Sequence, residues 1–138
     1  MKYFRLLLGI FILIGLDLIS KYLFYNLKYL EHTPLILPTL NTGISRSLPV
    51  PLMIIITMSI WGIWLFMRLF IKNKVWSITT ALLMAGTIWN FWDRIIYGGV
   101  RDFINIGLFN FPIFNFADIM LSIWVGLRIV KVILEKKE

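Results

Sequence analysis

The sequence predicts an all-α membrane protein: a single integral membrane domain of four transmembrane helices, with a small extracytoplasmic element between the first two. Composition is the first reason, because 59% of the 138 residues are hydrophobic and the mean hydropathy is +0.84, far above soluble domains. The second reason is the length of the apolar stretches, since a helix needs about 20 mostly apolar residues to cross a bilayer. Four stretches meet that requirement, at about 3–24, 50–71, 75–92 and 112–134.

The first stretch begins as a secretory signal peptide does, with Lys2 and Arg5 ahead of an apolar run. It has no small-x-small cleavage site, and it continues through Asp17 to Tyr25. We therefore expect an uncleaved transmembrane helix rather than a removable leader.

The basic residues predict which way the spans face, because Lys and Arg concentrate in cytoplasmic segments. Both ends of the chain and the connection between the second and third spans are rich in them, whereas the other side has fewer. Both termini are therefore predicted to be cytoplasmic, and 26–48 and 93–111 to face outward. The alternating apolar residues and two prolines of 26–48 favour short strands on the membrane surface.

Charge and composition exclude several classes of function. The formal net charge is +7, but the basic residues lie at the ends of apolar stretches, so we expect no nucleic-acid binding. Without cysteine the chain has no disulfide, thiolate nucleophile or cysteine–metal site. With His32 as the single histidine, neither a zinc site nor a Ser-His-Asp triad is expected, and no metal or other cofactor is predicted.

Acidic side chains inside apolar stretches are the main functional signal, because an ionised group is expensive to place in a membrane. Of the seven acidic residues, four lie within or beside such stretches: Asp17, Asp93, Asp102 and Asp118. Spacings of three and four residues place polar groups on one face of each helix. Each polar face lies toward the outer end of its span, so we expect these groups to meet across the bundle.

For some of these residues the sequence favours a structural role, because polar side chains commonly join transmembrane helices. Asp17 and Lys21 are four residues apart, with the acid toward the N-terminus, which is the better order for an ion pair. We expect an orienting or bridging role for this pair and for Asn90, Asp93 and Arg94 of the third span.

For Asp102 and Asp118 we favour acid–base chemistry. Two nearby carboxylates share a proton, so one can activate water while the other acts as an acid. Asp118 lies near the start of the fourth span, where the helix dipole favours its ionised form, so we expect it to be the base and Asp102 the acid. An ion-pair role remains the alternative, although Arg101, directly before Asp102, does not face it on a helix.

Five short motifs occur in order along the chain. They are Asp17-Leu-Ile-Ser-Lys21, Asn41-Thr-Gly43, Gly86-Thr-Ile-Trp-Asn90-Phe-Trp-Asp93-Arg94, Val100-Arg-Asp102-Phe-Ile104 and Phe111-Pro-Ile-Phe-Asn115-Phe-Ala-Asp118. Each motif alone is weak. Together, spread over four spans of the right polarity, they make the chain resemble the bacterial lipoprotein signal peptidases (signal peptidase II) over nearly its whole length.

The resemblance implies an intramembrane aspartyl endopeptidase that removes signal peptides from diacylglyceryl-modified prolipoproteins, with Asp102 and Asp118 as the catalytic pair. It places the enzyme in the bacterial plasma membrane, with its active site near the outer leaflet and with the precursor and membrane lipids as partners. We expect a monomer. Other matching positions are Asn41, Gly43, Asn90, Asp93, Arg94 and Asn115, together with Asp17 and Lys21 of the first-span motif.

The chain departs from the family pattern in two places. Small residues and an aromatic usually follow N-x-G, where Ile44, Ser45 and Arg46 stand here, and glycine usually precedes the third-span asparagine, where Trp89 stands. We expect these differences to affect substrate grip and pocket shape more than the chemistry.

Other functions remain open on the sequence. An inactive relative would bind lipoprotein precursors without cutting them, and a small transporter or channel subunit would also bury acids along an ion path. A purely structural membrane protein would explain the hydrophobicity but not the five ordered motifs.

Overall fold

The computed structural model describes residues 2–43, 50–72, 77–108 and 111–135, and within these ranges it consists of four helices and a small sheet. The first helix continues without a break into a π-helical segment, Lys21–Asn26. In chain order the elements are α1 (Lys2–Ser20), β1 (Ile36–Asn41), α2 (Leu52–Ile71), α3 (Ser77–Tyr97), β2 (Val100–Ile104) and α4 (Phe116–Glu135). The predicted helical fold is confirmed, with a two-stranded sheet added to it.

Helix α3 is the centre of the bundle, because it packs against each of α1, α2 and α4. Two buried apolar clusters form at these contacts, one toward α1 and α2 and the other toward α4. The first contains Leu6, Ile10, Phe70, Ala81 and Met84, and the second Leu82, Ala85, Ala117 and Met120. Apolar packing therefore holds the bundle together along most of its length.

Helices α3 and α4 approach each other closely at Gly86. A Cβ atom at this position would lie 2.8 Å from the carbonyl oxygen of Ala117 and 2.9 Å from Cγ of Leu121. Small residues allow helix backbones to come this close in membranes. The contact brings the first turn of α4 up to Asn90, one turn further along α3.

The two strands pair antiparallel, with Thr39 opposite Asp102 and Asn41 opposite Val100. Strand β1 lies in the segment 26–48, so the prediction of a strand there is confirmed. The prediction was incomplete, because the partner strand comes from the connection between α3 and α4. A strand needs a partner that supplies hydrogen bonds, and the local pattern of 26–48 does not reveal where that partner lies.

The turn that starts β2 depends on two glycines. Gly98 has φ +70°, in the left-handed region, and reverses the chain directly after α3. A Cβ atom on Gly99 would lie 2.9 Å from the carbonyl oxygen of Asn41, so glycine allows β2 to approach the end of β1.

Two helix boundaries differ from the predicted spans. Helix α3 continues to Tyr97, beyond the predicted end at 92, because Asp93 and Arg94 end the apolar run but not the helix, and both find partners inside the protein. Helix α4 begins at Phe116, so the prediction that it starts at Pro112 is wrong. Its start is set by the side chains that cap it, described below.

Surface polarity is inverted relative to a soluble protein. Phe11 is 80% exposed and Met53 71%, while Asp17 and Lys21 are fully buried. By length and composition, one continuous helix among the described residues, Tyr3–Asn26, suffices to cross a membrane, and Leu52–Arg68 is a shorter apolar helix. An apolar exterior around buried charges is typical of a protein surrounded by lipid.

Gly86→Ala is expected to lower the free energy of unfolding by about 1–3 kcal/mol, because the added methyl group overpacks the α3–α4 contact. Chemical denaturation in detergent micelles measures this. Gly15→Ala is the matched control, since a Cβ atom at Gly15 meets nothing within 4 Å. Equal effects of the two substitutions would contradict the close contact at Gly86.

Candidate active site

Asp102 and Asp118 reach the same place from different elements, Asp102 from β2 and Asp118 from the first turn of α4. Asn115 links them: its side-chain Nδ2 donates to Asp102 Oδ1 at 2.7 Å, and its backbone N–H donates to Asp118 Oδ2 at 3.1 Å. Asn115 is fully buried, and Asp102 is 2% exposed. Both carboxylates therefore lie within hydrogen-bond reach of one buried residue.

The start of α4 fixes the position of Asp118. Asn115 precedes the helix, and its Oδ1 accepts from the backbone N–H of Asp118 at 3.0 Å, while the Asp118 carboxylate accepts from the Asn115 backbone. This reciprocal pair is a capping box, built from Asn and Asp instead of Ser and Glu. Both residues were predicted to belong to the site, but their capping role was not, although N-x-x-D before an apolar run is its signal.

Asn41 holds the other side of Asp102. Its Oδ1 accepts from the backbone N–H of Gly43 at 3.1 Å, and its Nδ2 donates to Asp102 Oδ2 at 3.1 Å. A backbone N–H can only donate, so the amide oxygen must face Gly43 and the NH₂ group must face the carboxylate. Each oxygen of Asp102 thus accepts one amide N–H.

Asn90 holds Asp118 in the same way. Its Oδ1 accepts from Lys21 Nζ at 3.2 Å and from Asn115 Nδ2 at 3.1 Å, and its Nδ2 donates to Asp118 Oδ1 at 2.9 Å. Together with the Asn115 backbone bond, both Asp118 oxygens accept N–H donors, as both Asp102 oxygens do.

Burial raises the pKa of the Asp102 carboxyl to about 7, and the neighbouring Asp118 carboxylate adds to the effect. The hydrogen bonds from Asn41 and Asn115 act in the opposite direction. The Asp102 carboxyl therefore holds a proton up to about neutral pH, which suits a general acid.

A buried ion network lies behind the carboxylates. Lys21 Nζ lies 2.8 Å from Asp17 Oδ2 and 3.0 Å from Asp93 Oδ2, and all three side chains are 0–1% exposed. Asp17 Oδ1 also accepts from the backbone N–H of Ala117 at 2.8 Å, which joins α1 to the start of α4. The structure thus contains the predicted Asp17–Lys21 ion pair and adds Asp93 to it.

Arg101 anchors β2 next to Asp102, a role that was not predicted from the sequence. Its Nη2 and Nε donate to Asp93 Oδ1 at 2.8 and 3.2 Å, and its backbone N–H donates to Asp93 Oδ2 at 3.1 Å. Its Nη1 donates to Asn26 Oδ1 at 2.8 Å, and its guanidinium lies over the Tyr97 ring. Alternation along a strand was the available signal, because it sends Arg101 and Asp102 to opposite sides.

Arg94 supports the chain directly after β1. Its Nη1 donates to the carbonyl oxygen of Asn90 at 3.1 Å, and its Nη2 donates to that of Gly43 at 3.3 Å. Its buried Nε has no hydrogen-bond partner among the described residues. A guanidinium therefore lies beside the carboxylates with donor capacity to spare.

A cavity of about 610 Å³ opens over these residues. Helices α2, α3 and α4 all contribute to its wall, and α2 and α4 also meet where the Phe66 and Trp124 rings lie 5.0 Å apart. Its polar lining is Asn41, Asn90, Arg94, Asp102 and Asp118 with the hydroxyls of Ser59, Thr87 and Ser122, and its apolar lining includes Phe111, Ile113, Phe114, Ile119 and Leu121. An apolar chain with one polar segment would match this lining.

Neither departure from the family pattern is seen in the wall of this cavity. Trp89 is half-buried and does not line the cavity, and its buried Nε1 has no hydrogen-bond partner among the described residues. Ile44, Ser45 and Arg46 lie outside the described residues.

Comparisons with known proteins agree on one family. A family model described as signal peptidase (SPase) II matches residues 9–134. The chain is 32% identical to a lipoprotein signal peptidase of Thermodesulfovibrio yellowstonii over 95% of this chain and 96% of the relative. It is 43% identical to that of Halalkalibacterium halodurans over 68 residues, 48% of this chain and 44% of the relative.

Among solved structures, one described as a bacterial membrane enzyme superposes with a TM-score of 0.80 at 26% identity. The match covers 95% of this chain and 88% of that chain. The similarity therefore extends from the sequence to the whole fold.

Arg101→Met is expected to lower the free energy of unfolding by about 3 kcal/mol, because it removes a partner from the buried Asp93 carboxylate. Denaturation in detergent micelles measures the loss. Glu31→Gln is the control, because it removes the exposed Lys28–Glu31 pair at 3.6 Å and should leave unfolding unchanged. A stable Arg101→Met protein would show that Asp93 does not need this anchor.

Proposed function

Because this chain belongs to the signal peptidase II family, whose members remove signal peptides from prolipoproteins, we propose that Asp102 and Asp118 carry out that cleavage here. The chain is accordingly a peptidase of bacterial membranes. The proposed substrate is a diacylglyceryl-modified precursor, cut just before its lipidated cysteine. The observation that carries the proposal is the position of Asn115, which donates to both carboxylates at once.

The two carboxylates differ in a way that divides the acid and base roles. Asp118 lies in the first turn of α4, at the positive end of the helix dipole, so it is the ionised member. Asp102 has a pKa of about 7 and carries the proton. We assign Asp118 as the base and Asp102 as the acid.

Hydrolysis then proceeds in two balanced steps. Asp118 takes a proton from water as the water oxygen bonds to the scissile carbonyl carbon, and Asp102 gives its proton to the carbonyl oxygen. In the second step Asp102 takes that proton back as the carbonyl re-forms, while Asp118 gives its proton to the departing nitrogen and the C–N bond breaks. The products are a carboxylic acid and an amine, and the pair returns to its starting state.

Asn41, Gly43 and Arg94 are proposed to hold the substrate backbone beside the pair. The Arg94 guanidinium lines the cavity with a donor that no described residue uses. The backbone of Gly43 is held by both Asn41 and Arg94, so it lies next to two residues that line the cavity. Asn90 and Asn115 hold the carboxylates, and Asp17, Lys21 and Asp93 hold the helices.

We further propose that all four helices cross the membrane, with both termini in the cytoplasm. The helices have 19 to 21 residues, or about 30 Å at 1.5 Å per residue, which matches the hydrocarbon thickness. The excess of basic residues at the chain ends supports the orientation. The carboxylates then lie near the outer leaflet, where the cleavage site of a signal peptide emerges.

Asp102→Asn and Asp118→Asn are each expected to abolish cleavage of a diacylated prolipoprotein while the protein stays folded. Loss of one acid–base group typically costs about 10²–10⁴-fold in rate. Purified variants are compared with wild type by gel shift of the precursor, with an unlipidated precursor alongside. Glu135→Gln, which changes a 61%-exposed acid, is the control and should cleave normally. Near wild-type cleavage by either Asp variant would exclude the dyad.

Cleavage should weaken as the pH rises through about 7, because Asp102 must be protonated to act as the acid. Above that pH the protonated fraction falls tenfold per unit, and kcat should follow it. A pH–rate profile in micelles measures this, with circular dichroism at each pH to confirm folding. A rate that stays flat to pH 9 would contradict the assignment of Asp102.

A further inference from the structure

Lys21 is a buried cation that does not line the cavity, yet one side chain separates it from Asp118. Its Nζ donates to Asn90 Oδ1 at 3.2 Å, and Asn90 Nδ2 donates to Asp118 Oδ1 at 2.9 Å. An ammonium group has no acceptor, so the Asn90 oxygen must face Lys21 and its NH₂ group must face the carboxylate. Lys21, Asn90 and Asp118 therefore form a hydrogen-bonded chain in which every N–H donates in the direction of Asp118.

We propose that Lys21 is a positioning residue for the reaction, acting through Asn90 to keep Asp118 as the ionised member of the pair. The inference rests on the proposed Asp102–Asp118 dyad. The ammonium charge polarises the Asn90 amide, and a polarised N–H is a stronger donor to a carboxylate than to a carboxylic acid. Lys21 thus contributes to catalysis without touching substrate or water.

The charge of Lys21 is not neutralised by a single partner. Asp93 is already paired with Arg101 at 2.8 Å, and Asp17 also accepts from the Ala117 backbone. These two acids and two bases form a cluster that is neutral overall. Both carboxylates that hold Lys21 are also bound to other groups, so they do not fully neutralise its charge. The electrostatic field of the Lys21 ammonium therefore still reaches Asn90 and Asp118.

Few other charges of the residues that the structure describes face Asp118. Arg94 of α3 is the second cation, and Asp102 of β2 is the neighbouring acid. Helix α2 contributes one charged residue, Arg68, whose guanidinium lies over Trp64. The charged residues of α4 itself begin ten residues further on, at Arg128. Among the described residues Lys21 is thus one of two cations near this carboxylate, and it is the one linked to Asp118 through the Asn90 amide.

The expected effect is graded, because Asn115 Nδ2 also donates to the Asn90 oxygen at 3.1 Å. Loss of Lys21 would weaken the polarisation of the Asn90 amide, but the bond from Asn115 would still hold that amide in place. The acidic limb of the pH–rate profile, which reports when the base becomes ionised, should respond most. A purely structural role of Lys21 would lower the amount of folded enzyme but leave the position of that limb unchanged.

The test is the pH dependence of kcat for the double variant Asp17→Asn/Lys21→Met, which removes one charge of each sign and keeps the cluster neutral. Its acidic limb should move about one pH unit upward, so that kcat on that side falls about tenfold, with KM within about threefold of wild type. Lys21→Arg, which keeps the charge, should restore the limb toward its wild-type position. Lys28→Met is the matched control, because Lys28 is a lysine on the same side with a 64%-exposed side chain, and its profile should equal that of wild type.

A double variant that folds and shows the wild-type limb position would overturn the proposal, whatever its absolute rate. If the Lys21 variants do not fold, Asn90→Leu decides, because it interrupts the path while Lys21 keeps both carboxylate partners; an unchanged limb there overturns it as well. Asp118→Asn is measured in the same assay. If Asp118→Asn is inactive while the Lys21 and Asn90 variants keep the wild-type pH–rate profile, only the proposed role of Lys21 is rejected. If Asp118→Asn is active, the Asp102–Asp118 dyad itself is rejected.

Discussion

A buried ammonium group that must find its counter-charges inside the protein determines how one end of this bundle, the end that holds the two carboxylates, is arranged. Lys21 contacts carboxylates of α1 and α3, at Asp17 and Asp93, and Asp17 extends the connection to α4 through the backbone of Ala117. An unpaired charge is expensive in an apolar environment, so each member of the network requires the others. Charge neutralisation therefore positions the helix ends near the two carboxylates, while apolar packing holds the rest of the bundle.

Side-chain amides of three asparagines hold the two carboxylates in fixed orientations. Asn41, Asn90 and Asn115 each direct an oxygen toward a group that can only donate, which leaves each NH₂ group facing an acid. Their orientations are fixed before any substrate binds. Preorganised donors are effective in a low-dielectric site because nothing has to reorient during the reaction. Two acids in nearly identical polar settings are then distinguished by small differences, such as the helix start beneath Asp118.

Local pattern was sufficient to predict the helices and the acidic residues, but not how distant segments join. Hydropathy located the four helices, and helical spacing found the Asp17–Lys21 pair, since both depend on neighbours in sequence. Strand pairing between β1 and β2, and the anchoring of Arg101, depend on segments far apart in the chain. The start of α4 was misplaced because the apolar run begins before the capping residue, Asn115, and hydropathy does not detect a cap. The five motifs indicated which polar residues belong together, whereas their hydrogen-bond partners required coordinates.

Asn115 combines tasks that most proteins give to separate residues. It begins a helix, orients one acid through its side chain and holds the other through its backbone. An inhibitor that bound against this residue would be difficult for a bacterium to escape by substitution there. A replacement there would also remove the side-chain cap of α4 and the side-chain bond to Asp102, so resistance is expected to arise elsewhere in the cavity wall.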